Sequence, residues 1–172
     1  MDVLDKEREF ICLLEGLRDT LYRLARSIVL SDAEAQDVTQ DLFERAWRAR
    51  DAVLASAYPR AYLCRMARNL AIDYWRQRRR HRELEAQSIS VNLLDEERRM
   101  EASDMAALTQ KIIDHLPEKQ RIVVHLRDVE EYEISEIAEV MECDEVSVRM
   151  NLSRARKSVR EQLLTYMSYG VK

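Results

Sequence analysis

Apolar residues recur at intervals of three and four along almost the whole chain, and little interrupts them: there are two Gly and two Pro in 172 residues. Those are the residues that end or kink helices, so their scarcity leaves long uninterrupted 3.6-residue periodicity. The chain is predicted to be all-α, with two small helical domains joined by a linker, the C-terminal one a helix-turn-helix.

The helix-turn-helix is read from Glu133 to Arg160. Ile134, Ile137, Ala138 and Met141 mark one face of a short helix. The turn falls near Glu142-Cys143, and Asp144 is placed to cap the second helix. Val148, Leu152, Ala155 and Val159 form the apolar stripe of that helix. Arg149, Met150, Ser153, Arg154, Lys157 and Arg160 point the other way, and no carboxylate occurs between Val146 and Arg160. One stripe is built for a core. The opposite face suits DNA, with cations on phosphates and side chains near the helix start on base edges in the major groove.

The net charge of −4 conceals a segregated pattern. Residues 60–82 carry +7 and residues 146–160 carry +5, whereas residues 83–145 carry −12. A free-standing DNA-binding domain is usually basic overall. Here phosphates would meet the acidic stretch as well, so the chain is expected to read DNA while held by something larger.

Before the first basic segment, Phe10, Leu14, Leu17, Leu21, Leu24 and Ile28 predict a helix over about 6–30. Ser31-Asp-Ala-Glu34 has the form of a capping box. The helix it opens buries Ala35, Val38, Leu42 and Ala46, leaving an acidic and polar face beside Phe43 and Trp47. Residues 51–58 read as a loop, and Pro59 suits the first turn of the next helix. That helix, to about Arg80, has Leu63, Met66, Ala67, Leu70 and Tyr74 inside. Arg65, Arg68, Asn69, Ile72, Trp75, Arg76 and Arg79 gather outside. Arginines, an amide and an indole on one face suit unpaired nucleic acid, whose bases stack on the ring while Arg tracks phosphates. Residues 81–103 lose periodicity and read as a linker.

No apolar run approaches the roughly 18 residues that span a membrane, and no signal peptide is apparent, so a cytoplasmic location is expected. Cys12, Cys64 and Cys143, with three scattered His, show no metal-ligand spacing. With no phosphate loop and no paired carboxylates beside a base, neither an enzyme nor a cofactor is expected.

Taken in order, the segment Tyr62-Leu-Cys-Arg-Met-Ala-Arg-Asn-Leu-Ala-Ile-Asp73, a linker, Leu116-Pro-Glu-Lys-Gln-Arg121 and Leu152-Ser-Arg-Ala-Arg156 closely resemble a bacterial RNA polymerase sigma factor of the sigma-70 family, in its small two-domain extracytoplasmic-function group. The resemblance spans about residues 7–166. It implies a region 2 domain at 1–82, an acidic linker at 83–103 and a region 4 domain at 104–172. It further implies core polymerase docking through Asp37, Gln40, Asp41, Phe43 and Trp47. By the same resemblance Arg65, Arg68, Asn69, Trp75, Arg76 and Arg79 would engage the melted −10 element. Arg149, Met150, Asn151, Ser153, Arg154, Arg156 and Lys157 would read the −35 element. Partners implied are core RNA polymerase, promoter DNA and an anti-sigma protein, without membrane insertion. Met150-Asn151 departs from the commoner small-polar and basic pair of the reading helix. A regulator acting without polymerase and a sigma mimic that sequesters a regulator are the rivals. The acidic stretch opposes the first, and the retained basic face before the linker opposes the second.

Overall fold

The computed structural model describes residues 3–86 and 105–169, and among these the regular structure is entirely helical. The first unit comprises α1 (Val3–Val29), α2 (Asp32–Arg48), α3 (Arg50–Ala55) and α4 (Pro59–Ala86). The second comprises α5 (Met105–Asp114), α6 (Glu118–Val124), a π-turn (His125–Val129), α7 (Ile134–Met141) and α8 (Glu145–Tyr169).

In the first unit α1, α2 and α4 pack against one another. Phe10, Leu17, Leu21, Leu24 and Ile28 meet Val38 and Leu42 across from Leu63, Ala67 and Ala71, all buried. Apart from Ala71 these are residues the periodicity assigns to the inner faces, and Met66, Leu70 and Tyr74, assigned there too, are half-buried. Burying each large aliphatic chain contributes about 1.5–3 kcal/mol before the cost of ordering the chain. Ser31 forms the first half of its capping box, its hydroxyl accepting from the Glu34 amide at 3.4 Å. The Glu34 carboxylate is nearly buried and lies 3.6 Å from Arg78 of α4.

Two boundaries differ from the sequence expectation. Residues 51–55, expected as part of a loop over 51–58, join Arg50 in the short helix α3, which packs between α1 and α4 and buries Val53 completely. Nothing in Asp-Ala-Val-Leu-Ala opposes helix, and one buried valine is enough to hold a single extra turn. Helix α4 continues past Arg80 to Ala86, through residues that are good helix formers. The remainder of the linker, residues 87–103, lies outside the described residues, as does Asp104.

In the second unit α5, α6 and α7 all pack on α8. Ile122, Leu126, Ile137, Val140, Val148 and Ala155 are fully or almost fully buried. Arg121 is itself buried and donates to the main-chain oxygens of Asp114 (2.9 Å) and Leu116 (3.0 Å), satisfying carbonyls that the end of α5 leaves without partners. The tight turn between α7 and α8 has no glycine. Glu142 adopts the left-handed conformation instead, at φ 54°, at a cost of about 1–2 kcal/mol.

The two units are not separate bodies. Helix α7 lies against α4 and α6 against α1, and their buried side chains join in one continuous core. Ile72, assigned by the helical repeat to the outward face of α4, is 6% exposed in this packed arrangement.

Candidate nucleic-acid interface

The basic face of α8 is built as the periodicity indicates. Asp144 caps it, its carboxylate accepting from the Ser147 amide at 2.6 Å, and that hydrogen bond holds the carboxyl below its ordinary range. Val148, Leu152 and Ala155 are buried, while Arg149, Met150, Ser153, Arg154, Arg156, Lys157 and Arg160 are exposed. Their engagements differ. Arg149 pairs with Glu145 one turn earlier. The half-buried Asn151 donates its side-chain amide to the Ser147 main-chain oxygen at 2.8 Å. Arg156 reaches back to Asp128 in the π-turn, with Nε 3.1 Å from Oδ2. Lys157 lies 3.8 Å from Glu161. Arg154 makes no ion pair among the described residues.

On α4, Arg65 stacks over Tyr62 with its guanidinium 5.1 Å from the ring centroid. Arg79 lies similarly 5.5 Å from the centroid of the half-buried Trp75. Asn69 and Arg76 are exposed between them. Such stacked arginines hold a flat cationic surface open to solvent, a surface suited to unpaired bases and their phosphates. Arg68 is placed differently. Its side chain is only 16% exposed, and Nη1 donates to the Val140 main-chain oxygen of α7 at 3.0 Å. The Glu142 carboxylate is 3.3 Å from the same nitrogen.

On α2, Asp37, Gln40 and Trp47 are exposed, with Asp41 and Phe43 half-buried beside them. Tyr74 of α4 donates to Asp37 at 3.1 Å, and Asp41 pairs with Arg45 at 2.9 Å. Trp47 is fixed on both sides. Phe10 meets it edge-on with ring centroids 5.9 Å apart, and Arg50 stacks 5.1 Å from its ring. A groove of about 510 Å³ runs alongside, lined by Arg18, Tyr22, Gln36, Thr39, Gln40 and Phe43 among others. The five α2 residues therefore share one polar, aromatic-edged surface, remote from the buried stripe.

A fourth group of polar residues escapes any reading of the sequence. They form the seam between the two units. The Glu130 side chain is 4% exposed and accepts from Arg23 Nε at 2.7 Å and Thr20 Oγ1 at 2.8 Å, both on α1. His125 Nε2 lies 3.3 Å from the same carboxylate. Burial by itself would raise the Glu130 carboxyl, but the hydrogen bonds from Arg23 and Thr20, with the His125 ring close by, outweigh it and leave the group well below the usual carboxylate range. Nearby, Cys64 Sγ of α4 and Tyr132 Oη are 3.2 Å apart and buried. Burial pushes the Cys64 thiol up to about 11 and raises the Tyr132 phenol too. Arg60 stacks on the Tyr132 ring, 4.8 Å from its centroid. The π-turn gives these residues their aim. It shifts the backbone bonding so that Glu130 N donates to His125 O and Tyr132 N to Leu126 O, and Glu131 closes it at φ 58°. Partners 68 to 110 positions apart leave no periodic trace in the chain.

Comparison with known proteins agrees with this architecture. The model of Sigma-70 region 2 matches residues 13–81, and that of Sigma-70, region 4 matches residues 107–159. Among curated relatives, the RNA polymerase sigma-E factor of Streptomyces avermitilis is 30% identical over 155 residues, covering 90% of this chain and 85% of that protein. The ECF RNA polymerase sigma factor SigW of Bacillus subtilis is 26% identical over 166 residues, covering 90% of this chain and 88% of SigW. Among solved structures, the sigma factor RpoE of Bartonella quintana, in complex with the anti-sigma factor NepR, superposes with a TM-score of 0.71 at 22% identity, covering 91% of this chain and 97% of RpoE. CnrH, in complex with the cytosolic domain of CnrY, gives 0.65 at 24% identity, covering 92% of this chain and 90% of CnrH. Both structural likenesses are likenesses of fold. With both region models matched in order and relatives aligned over nine-tenths of its length, the chain belongs to the sigma-70 family of RNA polymerase sigma factors, in the extracytoplasmic-function group.

Proposed function

We propose that this sigma factor, which binds core RNA polymerase and directs promoter-specific initiation, divides its work among three helices. Region 2 takes residues 1–82 and region 4 residues 104–172, with the acidic linker between. The α2 surface of Asp37, Gln40, Asp41, Phe43 and Trp47 docks on core polymerase. The α4 face captures the unpaired strand of the −10 element, with Trp75 as a stacking platform and Arg65, Arg68, Asn69, Arg76 and Arg79 along the backbone. The N-terminal half of α8 enters the major groove of the −35 element. Asn151 and Arg156, tied to Ser147 and Asp128, orient the helix, and Arg154 and Lys157 face the DNA.

The observation that carries this reading is the pairing of two solvent-facing basic helix faces in a chain whose intervening residues 83–145 carry −12. Each face suits a different form of DNA, one unpaired and one duplex, and the acidic stretch disfavours binding without a larger partner. For Arg68 to reach the −10 strand, its contacts with Val140 and Glu142 must break, so α7 separates from α4 on promoter engagement. We assign an anti-sigma protein as a further partner. No described helix is long and apolar enough to cross a membrane, and the cytoplasm, where polymerase acts, is its proposed location.

Run-off transcription tests the reading. Purified protein is combined with core polymerase on pooled genomic fragments, beside a gel shift with the protein alone. Discrete transcripts that need both components, with little shift from the protein alone, are expected. Specific shift without polymerase and no transcript with it would overturn the proposal.

A further inference from the structure

At the start of α8 the polar side chains best suited to reading bases are engaged within the protein. Arg149 is paired with Glu145, and the Asn151 amide is turned onto the Ser147 main chain. Beside that exposed pair, the first turns also present apolar side chains to solvent. Val146 is 62% exposed and Met150 48%. They stand four residues apart, one above the other on the same helix face. Arg154 and Lys157 continue that side of the helix into the next turns, and no carboxylate occurs from Val146 to Arg160.

An exposed apolar pair followed by cations is poorly matched to an apolar protein surface, which would have to desolvate the charges. A duplex major groove offers both chemistries at once. Phosphates line its rim, and the C5-methyl group of thymine projects from its floor as the apolar feature of the base edges there. The N-terminal residues of a recognition helix are those that reach the floor. We propose that Val146 and Met150 are specificity-determining residues that read thymine methyl groups in the −35 element. This sigma factor then selects its −35 sequence partly by apolar contact, with Arg154 and Lys157 supplying the phosphate grip. The inference rests on the assignment of α8 to the −35 element and adds the chemistry by which it discriminates.

Uracil isolates the methyl group, because it pairs as thymine does and lacks only that group. On a promoter mapped by run-off transcription, each −35 thymine of either strand is replaced in turn by uracil, and promoter binding by the reconstituted holoenzyme is measured. One or two positions are expected to lose about fourfold in affinity, the worth of one buried methyl. Met150→Ala or Val146→Ala should abolish the uracil penalty at the position that residue covers, and Met150→Leu should retain it. Both residues are exposed, so the alanine variants should keep the helical circular dichroism of the parent. Insensitivity to every uracil, or an undiminished penalty in both alanine variants, would overturn the inference while leaving promoter-dependent transcription intact. A protein that yields no core-dependent transcript at all fails the underlying assignment, and the inference with it.

Discussion

Arg68 on α4 donates through Nη1 to the main-chain oxygen of Val140 on α7 at 3.0 Å, tying together residues 72 positions apart. The guanidinium that the family resemblance assigns to the −10 strand is thus one of those that hold the second unit against the first. The same nitrogen lies 3.3 Å from Glu142, the left-handed residue of the helix-turn-helix.

Arg68→Ala should therefore act twice. Loss of a charge-assisted bond to a carbonyl lowers the stability of the packed arrangement by about 1–2 kcal/mol. Small-angle scattering of the free protein should show a larger radius of gyration, and open-complex formation by the holoenzyme should fall. An unchanged radius of gyration would mean that the apolar seam suffices without this bond.

Glu130 gives the seam a pH dependence of definite sign. Its carboxyl is depressed in the folded protein, so its contribution is fully present above the ordinary carboxylate range. It is lost as pH falls below about 4.3 toward the lower folded value. Glu130→Gln should cost about 1.5–3 kcal/mol at pH 7. In urea unfolding, the difference between wild type and variant should shrink at about pH 3. An equal difference at both values would show that shape, not charge, makes Glu130 matter.

Cys64 reports on opening of the two units. It is fully buried, its thiol is raised to about 11, and Cys12 and Cys143 are exposed. In a Cys12→Ser, Cys143→Ser protein, a disulfide reagent at about pH 8 should modify Cys64 far more slowly than it does an exposed thiol. Adding Arg68→Ala should speed the reaction. Modification of the parent at the rate of a free cysteine would contradict the buried contact with Tyr132.

Ser31 offers a local test of the proposed polymerase-docking surface. Ser31→Ala removes the acceptor for the Glu34 amide and should cost about 1 kcal/mol through α2. Thermal unfolding should drop by a few degrees. Core polymerase binding should weaken less than on Trp47→Ala, which removes a proposed docking side chain outright. Competition binding to core enzyme separates the two.

Most of the fold was legible in the chain because the information is local. The stripe Phe10 to Ile28, the set Ala35, Val38, Leu42 and Ala46, and the stripe Val148, Leu152, Ala155 and Val159 follow from helical repeat, and all but the half-buried Leu14 and Val159 are buried as the repeat implies. The Ser31 and Asp144 caps lie within three residues of the amides they satisfy. Helix α3 was missed because a single buried turn is too short for periodicity to register. Arg68 and Asn69 are adjacent members of one polar face, yet only Asn69 is exposed, a distinction their own helix does not contain.

By itself, then, the sequence determined where the long helices run, which face of most of them is apolar and where the charge is concentrated, since each depends on neighbours within a turn or two. Only the tertiary structure decided that α7 lies on α4, that Ile72 and Arg68 are covered, and that Glu130 meets Arg23 from 107 positions away. Those outcomes depend on which buried surfaces fit together and which polar groups are satisfied when they do. That is a property of the assembled helices, with no counterpart in the repeat of any one of them.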